Sequence, residues 1–161
     1  MADDRNVDPE AAIELDDLYQ QVMIDHSRSP RNFRELGGAT GSCEGYNPLC
    51  GDRVTVYVKV QGSTVADISF VGKGCAICTA SASMMTESLK GRSTHEVEAM
   101  FAHFRAMLTD SNGDGRNAAS LDKLVVFEGV NRYPVRVKCA TLPWHTMKAA
   151  LNSGDQTVTT E

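Results

Sequence analysis

The 161-residue sequence contains no apolar run near the ~18 residues that a membrane-crossing helix needs, no basic run longer than two residues, and few aromatics, at 6%. The first absence excludes a helical span. The second, with a net charge of −5 and a pI near 5.3, argues against a nucleic-acid or anionic-membrane surface. A basic leader is missing as well, because MADDRNVDPE is acidic, so a cytoplasmic location is expected. Five cysteines are an odd count at low density, which argues against a disulfide framework and favours metal or sulfur chemistry. What is present, 42% apolar and 23% charged residues, suits one globular domain. It is expected over 11–151, with 1–10 and 152–161 as flexible tails that carry no chemistry.

Leu15, Leu18, Tyr19, Val22 and Met23 form a stripe at helical spacing between Ala11 and His26, stopped by Pro30. Asn32 to Gly51, rich in Gly, reads as a long irregular segment delivering Cys43 and Cys50. Val54, Val56, Val58 and Val60 alternate with polar residues, and Gly62-Ser63 turns into Val65 to Val71, which predicts an antiparallel hairpin. Residues Ala76 to Leu89 predict a closely packed helix. A further helix follows the capping-box pair Ser93 and Glu96, with Val97, Met100, Phe101, Phe104 and Leu108 on its apolar face. Beyond the loop from Thr109 to Asn117, Ala118 to Leu124 reads as a short helix. Val135 to Lys138 reads as an extended piece, and Leu142 to Leu151 as a last helix with Pro143 in its first turn.

Cys50-Gly51-Asp52 sets a thiol and a carboxylate two residues apart across a glycine, so that both side chains can face one point. Cys75 lies where a strand gives way to a helix, and Cys139 precedes the last predicted helix, so both thiols lean toward thiolate near a positive dipole end. If the fold brings these segments together, three sulfurs and one carboxylate form a shell suited to tetrahedral zinc. The competing reading is that single buried cysteines are common, inert core residues. Cys75 and Cys78 make a CxxC without a second CxxC, a weak zinc or redox signature. Asp110, Asn112, Asp114 and Gly115 copy the first half of a calcium loop, but Leu121 stands where a bidentate acid is needed, so the segment reads as a solvated turn. His95 and His103 fall on an exposed-looking helix and His26 and His145 at helix ends; none is assigned as a ligand.

Asn47-Pro48-Leu49-Cys50-Gly51-Asp52, the segments Phe70 to Ile77 and Ala80 to Glu87, and Pro134 to Leu142 stand together in a recognisable order. With Leu18-Tyr19 through His26 and Pro30-Arg31-Asn32, they extend the likeness over roughly residues 15–151. The chain resembles the SufU-type sulfur-transfer proteins, relatives of the IscU and NifU-like iron-sulfur scaffolds. That resemblance implies an α+β fold, a small antiparallel sheet with helices packed on it and N- and C-terminal helices flanking. In the scaffold branch a histidine precedes the last cysteine, whereas here Lys138 does, and 63 residues separate Cys75 from Cys139, as the insertion of the SufU branch implies. Cys78 departs from the pattern, which more often has serine there.

The resemblance further implies one zinc ion held by Cys50, Asp52, Cys75 and Cys139, and Cys50 as the catalytic residue. The implied partner is a SufS-type cysteine desulfurase, which carries the pyridoxal phosphate that this chain does not. On docking, a partner histidine would replace Cys50 on the zinc, and Cys50 would accept sulfur as a persulfide and pass it toward a downstream iron-sulfur assembly scaffold. Four anionic ligands around a dication leave a formal charge of −2, so a nearby cation is expected to stabilise the site. Arg136 and Lys138 are the candidates, against a simple role in surface solubility. The alternative functions are a scaffold holding a [2Fe-2S] cluster and a structural zinc module in which no thiol turns over.

Overall fold

The valine alternation produces a strand with one buried face. In the computed structural model, which describes the backbone of residues 9–109, 121–152 and 157–159 and the side chains of 17–109, 121–152 and 158, β2 (Asp52–Gln61) buries Val54, Val56 and Val58. It pairs antiparallel with β3 (Thr64–Lys73), setting Val56 opposite Phe70 and Val58 opposite Ile68. Gly62, at φ +63°, supplies the left-handed residue of the turn.

The segment expected to be irregular instead contains β1 (Gly41–Asn47), antiparallel to β2 from Gly41 opposite Val58 to Asn47 opposite Asp52. Gly45 explains the local composition. A Cβ there would strike the Thr146 side chain and come within 3.1 Å of Leu142 Cδ1, so β1 lies flush against a helix only without one. Within the expected C-terminal tail, β4 (Thr157–Thr159) pairs parallel to β1, giving the sheet order β3-β2-β1-β4.

Helices α1 (Pro9–Arg28), α2 (Ala76–Leu89) and α3 (Thr94–Thr109) form over the expected segments; Leu18 of the expected α1 stripe is exposed, while Tyr19, Val22 and Met23 pack against the core. The capping box closes α3: the Glu96 N–H donates to Ser93 Oγ and the Ser93 N–H to Glu96 Oε1, both at 3.0 Å. A 3-10 helix (Asp122–Arg132) follows, where a short helix over Ala118 to Leu124 was expected; the Asp110 to Gly115 segment lies outside the described residues. The last helix, α4 (Pro134–Leu151), starts eight residues earlier than expected. Val135 to Lys138 are helical rather than extended, Pro134 rather than Pro143 occupies the first turn, and His145 falls in mid-helix. Burying Cys139, Leu142, Trp144 and Met147 along one continuous helix outweighs the β preference of two valines and the internal Pro143.

α4 packs on β1 and β2, α2 beside it on β3, and α1 outside α2. The core centres on Trp144, stacked on Phe104 at 4.6 Å between ring centroids. α2 is buried from Ala80 to Thr86, and its small residues permit close approach, with hydroxyls that find partners. Ser81 Oγ donates to the Ala140 carbonyl and accepts from Trp144 Nε1. Among the described residues no helix is long and apolar enough to cross a membrane.

Candidate metal centre

The β1–β2 connection is four residues long, and Asn47 shapes it. Its Oδ1 accepts the Leu49 N–H at 3.2 Å, its carbonyl accepts the Gly51 N–H at 2.8 Å, and Gly51 takes φ +72°. Cys50 rides near the tip of this turn, half-buried beside exposed Leu49 and Gly51. Asp52, the first residue of β2, is fully buried.

The other two thiols are carried by helices, Cys75 at the start of α2 as expected and Cys139 within α4 rather than before it. Cys75 caps α2 in an extended conformation (φ −67°, ψ 168°), its sulfur accepting the Cys78 N–H at 3.4 Å. Cys139 lies in the second turn of α4 and is fully buried.

These segments converge. Cys139 Sγ lies 3.4 Å from Cys50 Sγ, and one donor atom each from Cys50, Asp52 and Cys139 all fall within 4.8 Å of one another. Cys75 joins through Asp52: its N–H donates to Asp52 Oδ1 at 2.8 Å and its sulfur lies 3.9 Å from Asp52 Oδ2. Gly74 makes room, since a Cβ there would come 3.0 Å from Asp52 Oδ1. Adjacent donors on a tetrahedral zinc with bonds of about 2.3 Å are about 3.8 Å apart, so the two sulfurs of Cys50 and Cys139 with the Asp52 carboxylate suit that ion in donor type and size, and Cys75, beside Asp52 but outside that cluster, is the candidate fourth donor.

The thiols share protons unevenly. A hydrogen bond from Cys139, helped by the Cys78 and Ile77 N–H groups, lowers the Cys75 thiol to about 6 against burial and the Asp52 charge. Cys139 is pushed up in turn, first by its hydrogen bond with Cys75 and then by burial. Burial also raises the Cys78 thiol, with Asp52 and Cys75 adding to it. A cation among these groups would replace the shared protons, which is the chemistry a thiolate-rich metal site requires.

Of the two expected cations, Arg136 places Nη1 3.9 Å from Cys50 Sγ. Lys138 is exposed and makes no hydrogen bond or ion pair among the described residues. Cys43 is buried in β1, with its thiol directed to the Glu44 carbonyl at 3.7 Å. His26 is near the end of α1 as expected but is buried, with Nδ1 2.7 Å from Ser83 Oγ. Sequence reasoning gave Asn47 no role, yet its Nδ2 lies 3.3 Å from Asp52 Oδ2 and 3.5 Å from Cys139 Sγ. The Asn-Pro pair, a turn initiator, was the available signal.

The chain belongs to the family described as the NifU-like N terminal domain, whose model matches residues 18–140. Two curated relatives bear different names: the zinc-dependent sulfurtransferase SufU of Bacillus subtilis (strain 168), 38% identical over 83% of this chain and 89% of its own, and the iron-sulfur cluster assembly scaffold protein IscU of Streptococcus pyogenes serotype M1, 36% identical over 88% and 87%. Among solved structures, a candidate iron-sulfur cluster assembly scaffold protein for the SUF system from Fervidobacterium islandicum AW-1 superposes with a TM-score of 0.76 at 34% identity, covering 81% of this chain and 94% of that one.

Proposed function

We propose that this protein is a zinc-dependent sulfurtransferase that accepts persulfide sulfur from a SufS-type cysteine desulfurase and passes it toward iron-sulfur cluster assembly. The observation that carries the reading is the asymmetry of the four candidate ligands. Asp52 and Cys139 are fully buried in a strand and a helix and Cys75 caps a helix, whereas Cys50 stands on a short turn beside exposed neighbours.

Cys50, Asp52, Cys75 and Cys139 would hold the zinc, which when bound keeps its sulfur ligands deprotonated at neutral pH. The remaining work belongs to the chain. The turn presents Cys50 to the partner, and Arg136 supplies positive charge beside its sulfur. The Cys50 thiolate attacks the terminal sulfur of the donor persulfide. A new S–S bond forms at Cys50, the donor's S–S bond breaks, and the donor cysteine leaves as a thiolate, so no oxidant is consumed.

The second reading, a scaffold that holds a [2Fe-2S] cluster, draws on the relatives named IscU and on the close approach of the Cys50 and Cys139 sulfurs. Lys138 disfavours it, because an exposed ammonium occupies the place before Cys139 where the scaffold branch carries a histidine. Incubating the protein with a SufS-type desulfurase and cysteine, then mass-mapping it, separates the two. Gain of sulfur atoms on Cys50, abolished by Cys50→Ala, is the expected result. No gain, together with a stable transferable chromophore after reconstitution with iron and sulfide, would establish the scaffold instead.

A further inference from the structure

The function proposed above leaves Cys78 without a role, although its sulfur adjoins the centre. We propose that Cys75 and Cys78 form a reversible disulfide that withdraws Cys75 from the metal-binding set, so that oxidation releases the ion and reduction restores the site. Its consequence for the ion rests on the zinc reading; the bond itself does not.

Three observations support the pair. Cys75 caps α2 and its sulfur already accepts the Cys78 N–H at 3.4 Å, so the two residues flank a single helical turn. Helix geometry puts such residues about 5 Å apart at Cα, inside the bridgeable range of roughly 4.4–6.8 Å. Access is ordered as well: Cys75 is half-buried while Cys78 is only 3% exposed, so a small oxidant meets Cys75 first. Finally, Cys78 lies against the bare backbone that leads into Cys75. A Cβ on Gly74 would sit 3.3 Å from Cys78 Sγ, so its absence leaves space beside that sulfur on the Cys75 side. Cys50 and Cys139 are also close, at 3.4 Å, and a bond between them, which would remove two candidate metal ligands at once, is the competing link that the experiment distinguishes.

The oxidant is a low-molecular-weight disulfide. The Cys75 thiolate attacks one of its sulfurs, forming a mixed disulfide and expelling a thiolate. The thiolate just expelled takes the Cys78 proton, and the Cys78 sulfur attacks Cys75 Sγ, which expels the second small thiolate. Two electrons pass from the protein thiols to the external disulfide, which ends as two thiols.

Trypsin cleavage after Lys73 and Lys90 places both cysteines in one peptide, 74–90, while Cys50 and Cys139 fall in two others. The zinc-loaded protein is treated with oxidised glutathione, free thiols are alkylated, and released zinc is followed with a chromophoric chelator. The expected product is peptide 74–90, unalkylated and lighter by two hydrogens, appearing on the time course of zinc release, with both changes reversed by dithiothreitol. Cys78→Ser should stop at a glutathione adduct on Cys75. A principal link between Cys50 and Cys139, or no internal link, would overturn the proposal. Because neither readout needs a desulfurase, failure of sulfur loading leaves this result standing, and the converse also holds.

Discussion

The Cys75 amide is bonded to the Asp52 carboxylate: its N–H donates to Oδ1 at 2.8 Å, joining the cap of α2 to the first residue of β2. The other oxygen accepts from the Asn47 side chain, so one buried carboxylate ties the end of β1 and the cap of α2 to the start of β2 before any ion binds.

Asp52→Ala takes the acceptor from the Cys75 N–H and one of the partners from the Asn47 amide, and a buried unsatisfied group costs about 1–3 kcal/mol. Urea denaturation of the metal-free variant should show a loss of about 2 kcal/mol. Asp52→Asn keeps an oxygen for Cys75 but opposes its own amide to that of Asn47, so its loss should be smaller. Equal stability of the parent and Asp52→Ala would refute the organising role.

Chelation should lower the melting temperature, and one equivalent of zinc should restore it. A ligand that binds only the native state, at a free concentration a thousandfold above its dissociation constant, contributes about 4 kcal/mol. Calorimetry with and without chelator checks this; identical transitions would mean that no ion supports the fold.

Arg136 is exposed and near Cys50, so its charge should act on reactivity rather than on folding. Arg136→Ala should slow alkylation of Cys50 by iodoacetamide several-fold at low salt. Arg136→Lys should retain part of the rate, and the gap should close as salt shortens the Debye length to about 8 Å and below. A salt-independent difference would point to a steric cause.

His26 supplies a pH dependence. Ser83 Oγ accepts the Arg31 N–H at 2.8 Å, so its hydrogen is free for His26 Nδ1, and Nε2 then faces Glu87 3.7 Å away. Burial, and then the Arg31 charge, hold His26 below its ordinary value of 6.5. As pH falls through 6.5 the unfolded chain takes up this proton while the folded one resists. Stability is therefore full above 6.5 and is lost progressively down to the folded value. Denaturation at steps from pH 7.5 to 5.5 should show a flatter slope in His26→Asn, with a residue of slope left because burial lowers His145 too. An unchanged slope would show that another group dominates.

Legibility in the sequence followed how local the determinants were. The β2–β3 hairpin and α3 were readable because their periodicity, turn and capping residues are written in neighbouring positions. β1 was not, since Gly41, Ser42, Gly45 and Asn47 are weak strand formers whose extended state is imposed by pairing with β2 and by the close approach of α4. The start of α4 was misread because Val135-Arg136-Val137-Lys138 alternates like a strand, while the helix is decided by what it buries further on. The four candidate donors were legible in the motifs, but that the fold gathers Cys50, Asp52 and Cys139 into one cluster, with Cys75 hydrogen-bonded to Asp52 beside it, was not. Asn47 was missed because nothing local shows that its amide would reach a sulfur 92 positions away.

The turn from Pro48 to Gly51 is pinned at its base by the Asn47–Asp52 strand pair and by the Gly51 amide on the Asn47 carbonyl. Cys50 is thereby held on a four-residue turn, apart from the strand and helices that carry Asp52, Cys75 and Cys139. Under the proposed function, the travel needed to hand over sulfur would be confined to these four residues, leaving the interior as it is.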